Sequence, residues 1–286
     1  MRAEWLFVAV IFLSACGSTP KPVDPPRLKA ALEAESDGAK RYQRGDYVVA
    51  ERRFTDAMRQ FASIDDSIGS MRNRVHLART QLAQGHAESA LKLLATTPGG
   101  PAVDTDVLLL RSQALLALGR HPETAQTLAS AEASCAGTCP QLSSLKILQA
   151  RAAFAAGQAA EAQAYAETAI KLLGDKDRSA EAGNAWRLKA AARLAAGDAV
   201  GALASAQAAL DIDRRLALPE KIAHDWLLIG DVHRYAMRDQ APGASSAVVA
   251  AYSRALEVAQ AAGLLEITIM AKQALQDLDA GKIPAK

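Results

Sequence analysis

From about Leu28 onward one pattern of apolar and polar positions recurs. It consists of an alanine-rich stretch with apolar residues three and four apart, a glycine, a small residue five positions later, and further apolar positions at four- and three-residue steps. Steps of three and four trace one face of a helix, so each phrase predicts two amphipathic helices joined at the glycine. The glycines are Gly45, Gly85, Gly119, Gly157 and Gly197, separated by 40, 34, 38 and 40 residues. Gly45 is followed by Ala50, Phe54 and Ala57, Gly157 by Ala162, Ala166 and Ala169, and Gly197 by Ala202, Ala206 and Ala209. Seven residues before the glycines stand Gly38, Ala78, Ser112, Ala150 and Ala190. Small residues on both helices let the backbones cross closely, the glycine supplies the turn, and larger side chains fill the space to the next hairpin.

A sixth phrase begins at His224 and aligns through Gly230, with Trp226 in the place that Trp186 takes in the fifth and a second helix over residues 248–261. Residues 264–278 are a predicted capping helix for the apolar face of the last hairpin. Three units depart from the pattern. The second is cut short by Thr97-Pro98-Gly99-Gly100-Pro101, the third has Thr124 at the crossing position with Ala125 one place late, and the sixth carries a longer connection over residues 238–245. The tandem phrase resembles the tetratricopeptide repeat across residues 30–279. That resemblance implies an all-α, right-handed α-solenoid of about six hairpins, used to bind proteins or peptides. Residues 280–286 are expected to be a flexible tail.

Ahead of the repeats, Leu6 to Leu13 form an apolar run of eight residues behind Arg2, followed by small residues. As a helix it would span about 12 Å, far short of a bilayer core of about 30 Å, so it predicts a signal peptide over residues 1–15 and not a membrane span. Leu13-Ser14-Ala15-Cys16 resembles the bacterial lipobox, which implies acylation, palmitate included, of Cys16 as the first mature residue. Gly17 is not the Asp that marks inner-membrane retention in the enteric-type rule, so the resemblance points to the periplasmic face of the outer membrane. Residues 16–29, with prolines at 20, 22, 25 and 26, predict a semi-extended tether.

Half of the residues are hydrophobic but only 5% are aromatic, so alanine makes much of the apolar surface and helices are favoured. With 33 Lys and Arg against 31 Asp and Glu, the net charge of +2 argues against nucleic acid as a partner. No nucleophile elbow, zinc-helix motif or glycine-rich phosphate loop is present, and the five histidines lack neighbours at metal-ligand spacing. An enzyme, a cofactor and a metal are therefore not expected. Cys135 and Cys139 flank a loop with Gly137 and Pro140, and in an oxidising compartment two thiols this close predict a local disulfide.

In stacked hairpins the first helices line the groove, through residues ten, six and three before the turn glycine. Six before, these are Ala39, Arg79, Gln113, Arg151 and Ala191; three before, they include Tyr42, Leu82, Leu116 and Phe154. Arg187 lies ten before Gly197, and Asp231, Arg234 and Tyr235 are the counterparts in the sixth unit. This strip predicts a binding groove for a peptide segment with acidic character, since arginine forks onto carboxylates and aromatics give apolar anchors. The reading from sequence is a noncatalytic, membrane-anchored periplasmic adaptor or scaffold in envelope assembly: a pilus or secretion pilot, outer-membrane assembly, or recruitment of cell-wall enzymes. The alternative is a small-ligand binder or enzyme-associated protein using the 238–245 insertion with His224, His233 and Tyr235.

Overall fold

The structure, a computed structural model, describes residues 25–95, 105–136, 139–174, 179–237 and 245–281. Among the described residues there is no strand, and the helices pair in chain order. The hairpins are α1 (Pro26–Gln43) with α2 (Tyr47–Ser63), α3 (Ser67–Ala83) with α4 (Ala87–Ala95), and α5 (Thr105–Ala117) with α6 (His121–Cys135). They continue as α7 (Leu142–Ala155) with α8 (Ala159–Leu173), α9 (Ala180–Ala195) with α10 (Ala199–Arg215), and α11 (Pro219–Ala236) with α12 (Ser245–Ala261). Helix α13 (Leu265–Asp279) caps the array against α12 and α11. The chain is thus an all-α repeat solenoid, with the paired helices that its periodicity predicts and the array that the repeat resemblance implies.

The five turn glycines end their helices in one way. Each takes a left-handed φ between +68° and +86°. The residue after the glycine donates its N–H to the carbonyl five residues back (Asp46 to Arg41, 3.0 Å; Gln158 to Ala153, 2.9 Å), and the glycine donates to the carbonyl three back (Gly45 to Tyr42, 3.0 Å). Carbonyls that the helix end would orphan are thereby satisfied. A Cβ at Gly45, Gly85, Gly119 or Gly157 would meet nothing within 4 Å, so backbone conformation alone selects glycine there.

Crowding selects the residue where paired helices cross. Gly38 lies under the buried Phe54 ring, 2.8 Å from where a Cβ would stand, and Gly230 lies still closer under the Tyr252 ring. Elsewhere Ala78 packs in one cluster with Leu94, and Ala190 in another with Ala206. Glycine thus faces an aromatic side chain, and at Ala78 and Leu94 an alanine and a leucine fill a similar volume. The crossing alanines Ala50, Ala57, Ala162, Ala169, Ala202 and Ala209 are fully buried.

Successive first helices also pack on one another, α3 on α5, α5 on α7, α7 on α9 and α9 on α11, whereas no two second helices pack comparably. The row of first helices is therefore the tighter one, and the array bends around it. This makes the first helices the inner surface, where the predicted groove residues lie.

Some boundaries differ from the sequence reading. Helix α1 starts at Pro26, inside the predicted tether, because a proline at the first helical position brings a preset φ and lacks only an N–H that would be orphaned anyway. Residues 1–24, with the signal segment and Cys16, lie outside the described residues, as do 238–244 and 282–286. Helix α12 starts at Ser245, three residues earlier than expected, while α4 ends after nine residues at Ala95, ahead of the Pro and Gly run. No helix among the described residues is long and apolar enough to cross a membrane.

Candidate functional site

Position along each first helix decides what its groove-side residue does. Ten before the turn glycine, Leu109 and Ile147 belong to the core, as does Leu227 in the sixth unit, while Glu35, Val75 and Arg187 are half-buried. Those six and three before remain accessible. Tyr42, Arg79 and Gln113 are half-buried, and Arg151 and Phe154 are exposed on α7. Tyr42 packs on Tyr47 with ring centroids 5.3 Å apart, and the Arg79 charge acts on both Tyr42 and His76. His76 in turn stacks on Phe54 at 4.9 Å. Burial, reinforced by Arg79, lowers the pKa of His76, which favours the neutral ring.

The predicted groove arginines divide into two kinds. Neither Arg79 nor Arg151 makes an ion pair among the described residues. Desolvation alone lowers the pKa of Arg151, with no acidic neighbour offsetting it. An accessible guanidinium without an ion-pair partner is free to fork onto an incoming carboxylate.

Arg187 and Arg234 are committed to the fold. The Arg187 Nε donates to Asp225 Oδ1 at 2.6 Å, one Nη to Asp213 Oδ2, and the other to Asn184 Oδ1 at 3.1 Å. Both aspartates are fully buried, so Arg187 ties α9 to α10 and α11 and its charge is spent inside the solenoid. Arg234 lies 3.6 Å from Asp231 and over the Tyr252 ring at 5.8 Å. Asp231 accepts the Tyr252 hydroxyl at 2.7 Å, and burial raises its pKa. The Tyr235 hydroxyl sits over Gly197, 3.1 Å from where a Cβ would be. Of the nine predicted groove residues, Arg187 and Arg234 are thus tied into the fold, while Tyr42, Arg79, Gln113, Arg151 and Phe154 are accessible on the first helices.

Sequence reasoning missed Asp213, Asp225 and Asn184 as partners of Arg187, and Lys221 as a further donor to Asn184. A signal was present: Asp213 stands four after Ala209 and three after Leu210, and Asp225 stands four before Ile229, so both carboxylates fall on buried stripes. Hairpin-to-hairpin ion pairs recur elsewhere, with Arg72 donating to Glu35 at 2.7 Å and Lys189 lying 3.1 Å from Glu167.

Cys135 and Cys139 are joined as a disulfide with Cα atoms 4.9 Å apart, fastening the end of α6 to the approach to α7. Nearby, an open notch of 280 Å³ between α6, α7 and α8 includes Ala125, the displaced alanine of the third unit, with Glu132, Gln149 and Tyr165. Lys146 and Gln149 hold Glu132 below the usual carboxylate range. His224 and His233 are both on α11, and burial with the Arg187 charge lowers the pKa of His224. Most of the insertion that the alternative reading invokes lies outside the described residues. Among the described residues no group of three or more His, Cys, Asp or Glu is placed to hold a metal.

The architecture is that of tetratricopeptide-repeat proteins. The thermophilic repeat protein TTC0263 of Thermus thermophilus superposes with a TM-score of 0.55 at 22% identity, over 69% of this chain and 100% of that one. The apo form of RapI gives 0.63 at 11% identity, over 88% and 71%. The kinesin light chain repeats of Podospora anserina give 0.50 at 18%, over 68% and 99%. No protein-family model and no curated protein sequence matches the chain.

Proposed function

We propose that this chain is a noncatalytic adaptor of the bacterial envelope, held at the periplasmic face of the outer membrane by acylated Cys16, which binds an acidic segment of a protein partner along its inner surface. Arg151 carries this reading: a cation with no ion-pair partner among the described residues, exposed beside Phe154 on α7. A partner carboxylate would relieve that unpaired charge while Phe154, and Tyr42 further along, give apolar contacts. The inner surface is formed by regular helices packed in series, so ordering costs on binding fall mainly on the partner. Arg79, the other unpaired cation of the row, extends the same anionic preference towards α1 and α3.

The test reverses these two charges. Arg79→Glu with Arg151→Glu leaves every ion pair of the fold intact, so the double variant keeps the parent's helicity and unfolding midpoint. Its capture of envelope partners by in-cell crosslinking is expected to drop at least tenfold. Undiminished capture by a folded double variant excludes the groove. For the anchor, Cys16→Ala is expected to move the protein out of the outer-membrane fraction, and a variant that stays there removes acylation from the account.

A further inference from the structure

The Arg187 cluster holds more negative groups than it has donors for. Asp213 and Asp225 are both fully buried, and each has one oxygen on Arg187. The remaining oxygens, Asp213 Oδ1 and Asp225 Oδ2, have no hydrogen-bond partner. Gly183 on α9 allows this arrangement, since a Cβ there would stand 2.7 Å from Asp213 Oδ1. The two carboxyls meet on one guanidinium, Asp225 at its Nε and Asp213 at one Nη. Two bare carboxylates side by side away from water repel each other and leave two acceptors unsatisfied, whereas one proton supplies a donor and removes a charge.

We propose that Asp213 and Asp225 share one proton near neutral pH, so that with Arg187 they form a proton-loaded lock between the fifth and sixth hairpins, which loosens when the proton leaves. The lock ties α9, α10 and α11 at one point, and α11 packs on α12 and on the capping helix α13. Proton loss therefore weakens attachment of the last hairpin and its cap, and with them that end of the inner surface.

The surrounding charges fit this assignment. On α11, the Lys221 ammonium is directed to Asn184 Oδ1 at 3.1 Å and to the Ala180 carbonyl, and it makes no hydrogen bond to either aspartate. His224, also on α11, feels Arg187, Glu220 and, from α13, Glu266. Burial pushes the Asp225 carboxyl up to about 7, with Arg187 pulling the other way and Asp213 adding to the rise. A carboxyl whose pKa is raised on folding binds its proton more tightly in the native state, so its contribution is complete below the unfolded value near 4 and is lost as pH rises through about 7. His224, with a lowered pKa, acts in the opposite direction, because its protonation in acid opposes the fold.

The full chain in detergent micelles tests this by infrared difference spectroscopy and by hydrogen exchange of α11. At pH 6 the native protein is expected to show a protonated-carboxyl band, absent from Asp225→Asn, that disappears between pH 6 and 8. The opening constant of α11 is expected to rise with pH by up to about tenfold per unit across pH 5–7. In Asp225→Asn, whose carboxamide replaces the protonated acid, that slope is lost, while His224→Gln retains it. Absence of the carboxyl band from the native protein at pH 6 overturns the proposal. An unchanged exchange slope in Asp225→Asn also overturns it. If that variant fails to fold, the band of the native protein and its pH dependence still decide.

Discussion

Replacing Arg187 with methionine is expected to destabilise the protein by about 3–5 kcal/mol at pH 7, because the change keeps side-chain bulk but leaves a buried, negatively charged pair of aspartates without its cation. Both Asp213 and Asp225 are fully buried and direct one oxygen each to Arg187, so the loss is felt on three helices together. The sign of its pH dependence is fixed by the same geometry. Without the guanidinium the Asp225 carboxyl, already raised by burial, rises further, so it is neutral over a wider acid range and the charge penalty fades as pH falls. The difference in urea midpoint between Arg187→Met and the parent should therefore narrow from pH 7.5 to pH 5. Protection from hydrogen exchange should be lost first in α9, α10 and α11. A variant as stable as the parent at pH 7, or a gap that widens in acid, contradicts the account of the cluster.

The second large effect is expected at Gly230, where alanine should cost about 1–3 kcal/mol through overpacking. The new methyl would run into the Tyr252 ring, which is fully buried and cannot withdraw freely because its hydroxyl is bonded to Asp231 at 2.7 Å. Combining Gly230→Ala with Tyr252→Leu recreates the alanine and leucine pairing of Ala78 and Leu94, and should recover most of the loss. Thermal unfolding of the single and double variants measures this. Losses that simply add would show that the two residues do not share one volume.

The repeat was legible because it depends on residue size classes at fixed spacing and on a backbone conformation that only glycine adopts cheaply. Gly45, Gly85, Gly119, Gly157 and Gly197 announce the turns, and small residues seven positions earlier announce the crossings. The same register puts Arg79, Arg151 and Phe154 on the first helices α3 and α7, where they are accessible. Register cannot tell where an arginine's charge ends up. Arg187 and Arg151 occupy comparable faces of their helices, yet Arg187 reaches two carboxylates 26 and 38 residues away in sequence, whereas Arg151 meets none. Helical period does mark Asp213 and Asp225 as polar residues on buried stripes, but only the packing of α10 and α11 against α9 brings both to one guanidinium. The start of α1 was misplaced for a local reason, since Pro25 and Pro26 read as tether while the second proline suits the first turn of a helix.

The central claim is that partners bind the inner surface through its unpaired cations. A photo-crosslinking amino acid placed at Phe154 on α7, and separately at the exposed Val200 on the outer helix α10, tests this most directly in cells carrying the anchored protein. The account predicts discrete adducts from position 154 that disappear when Arg79 and Arg151 are changed to glutamate, and none of the same adducts from position 200. The same adducts from both positions, or adducts at 154 that survive the charge reversal, would contradict it.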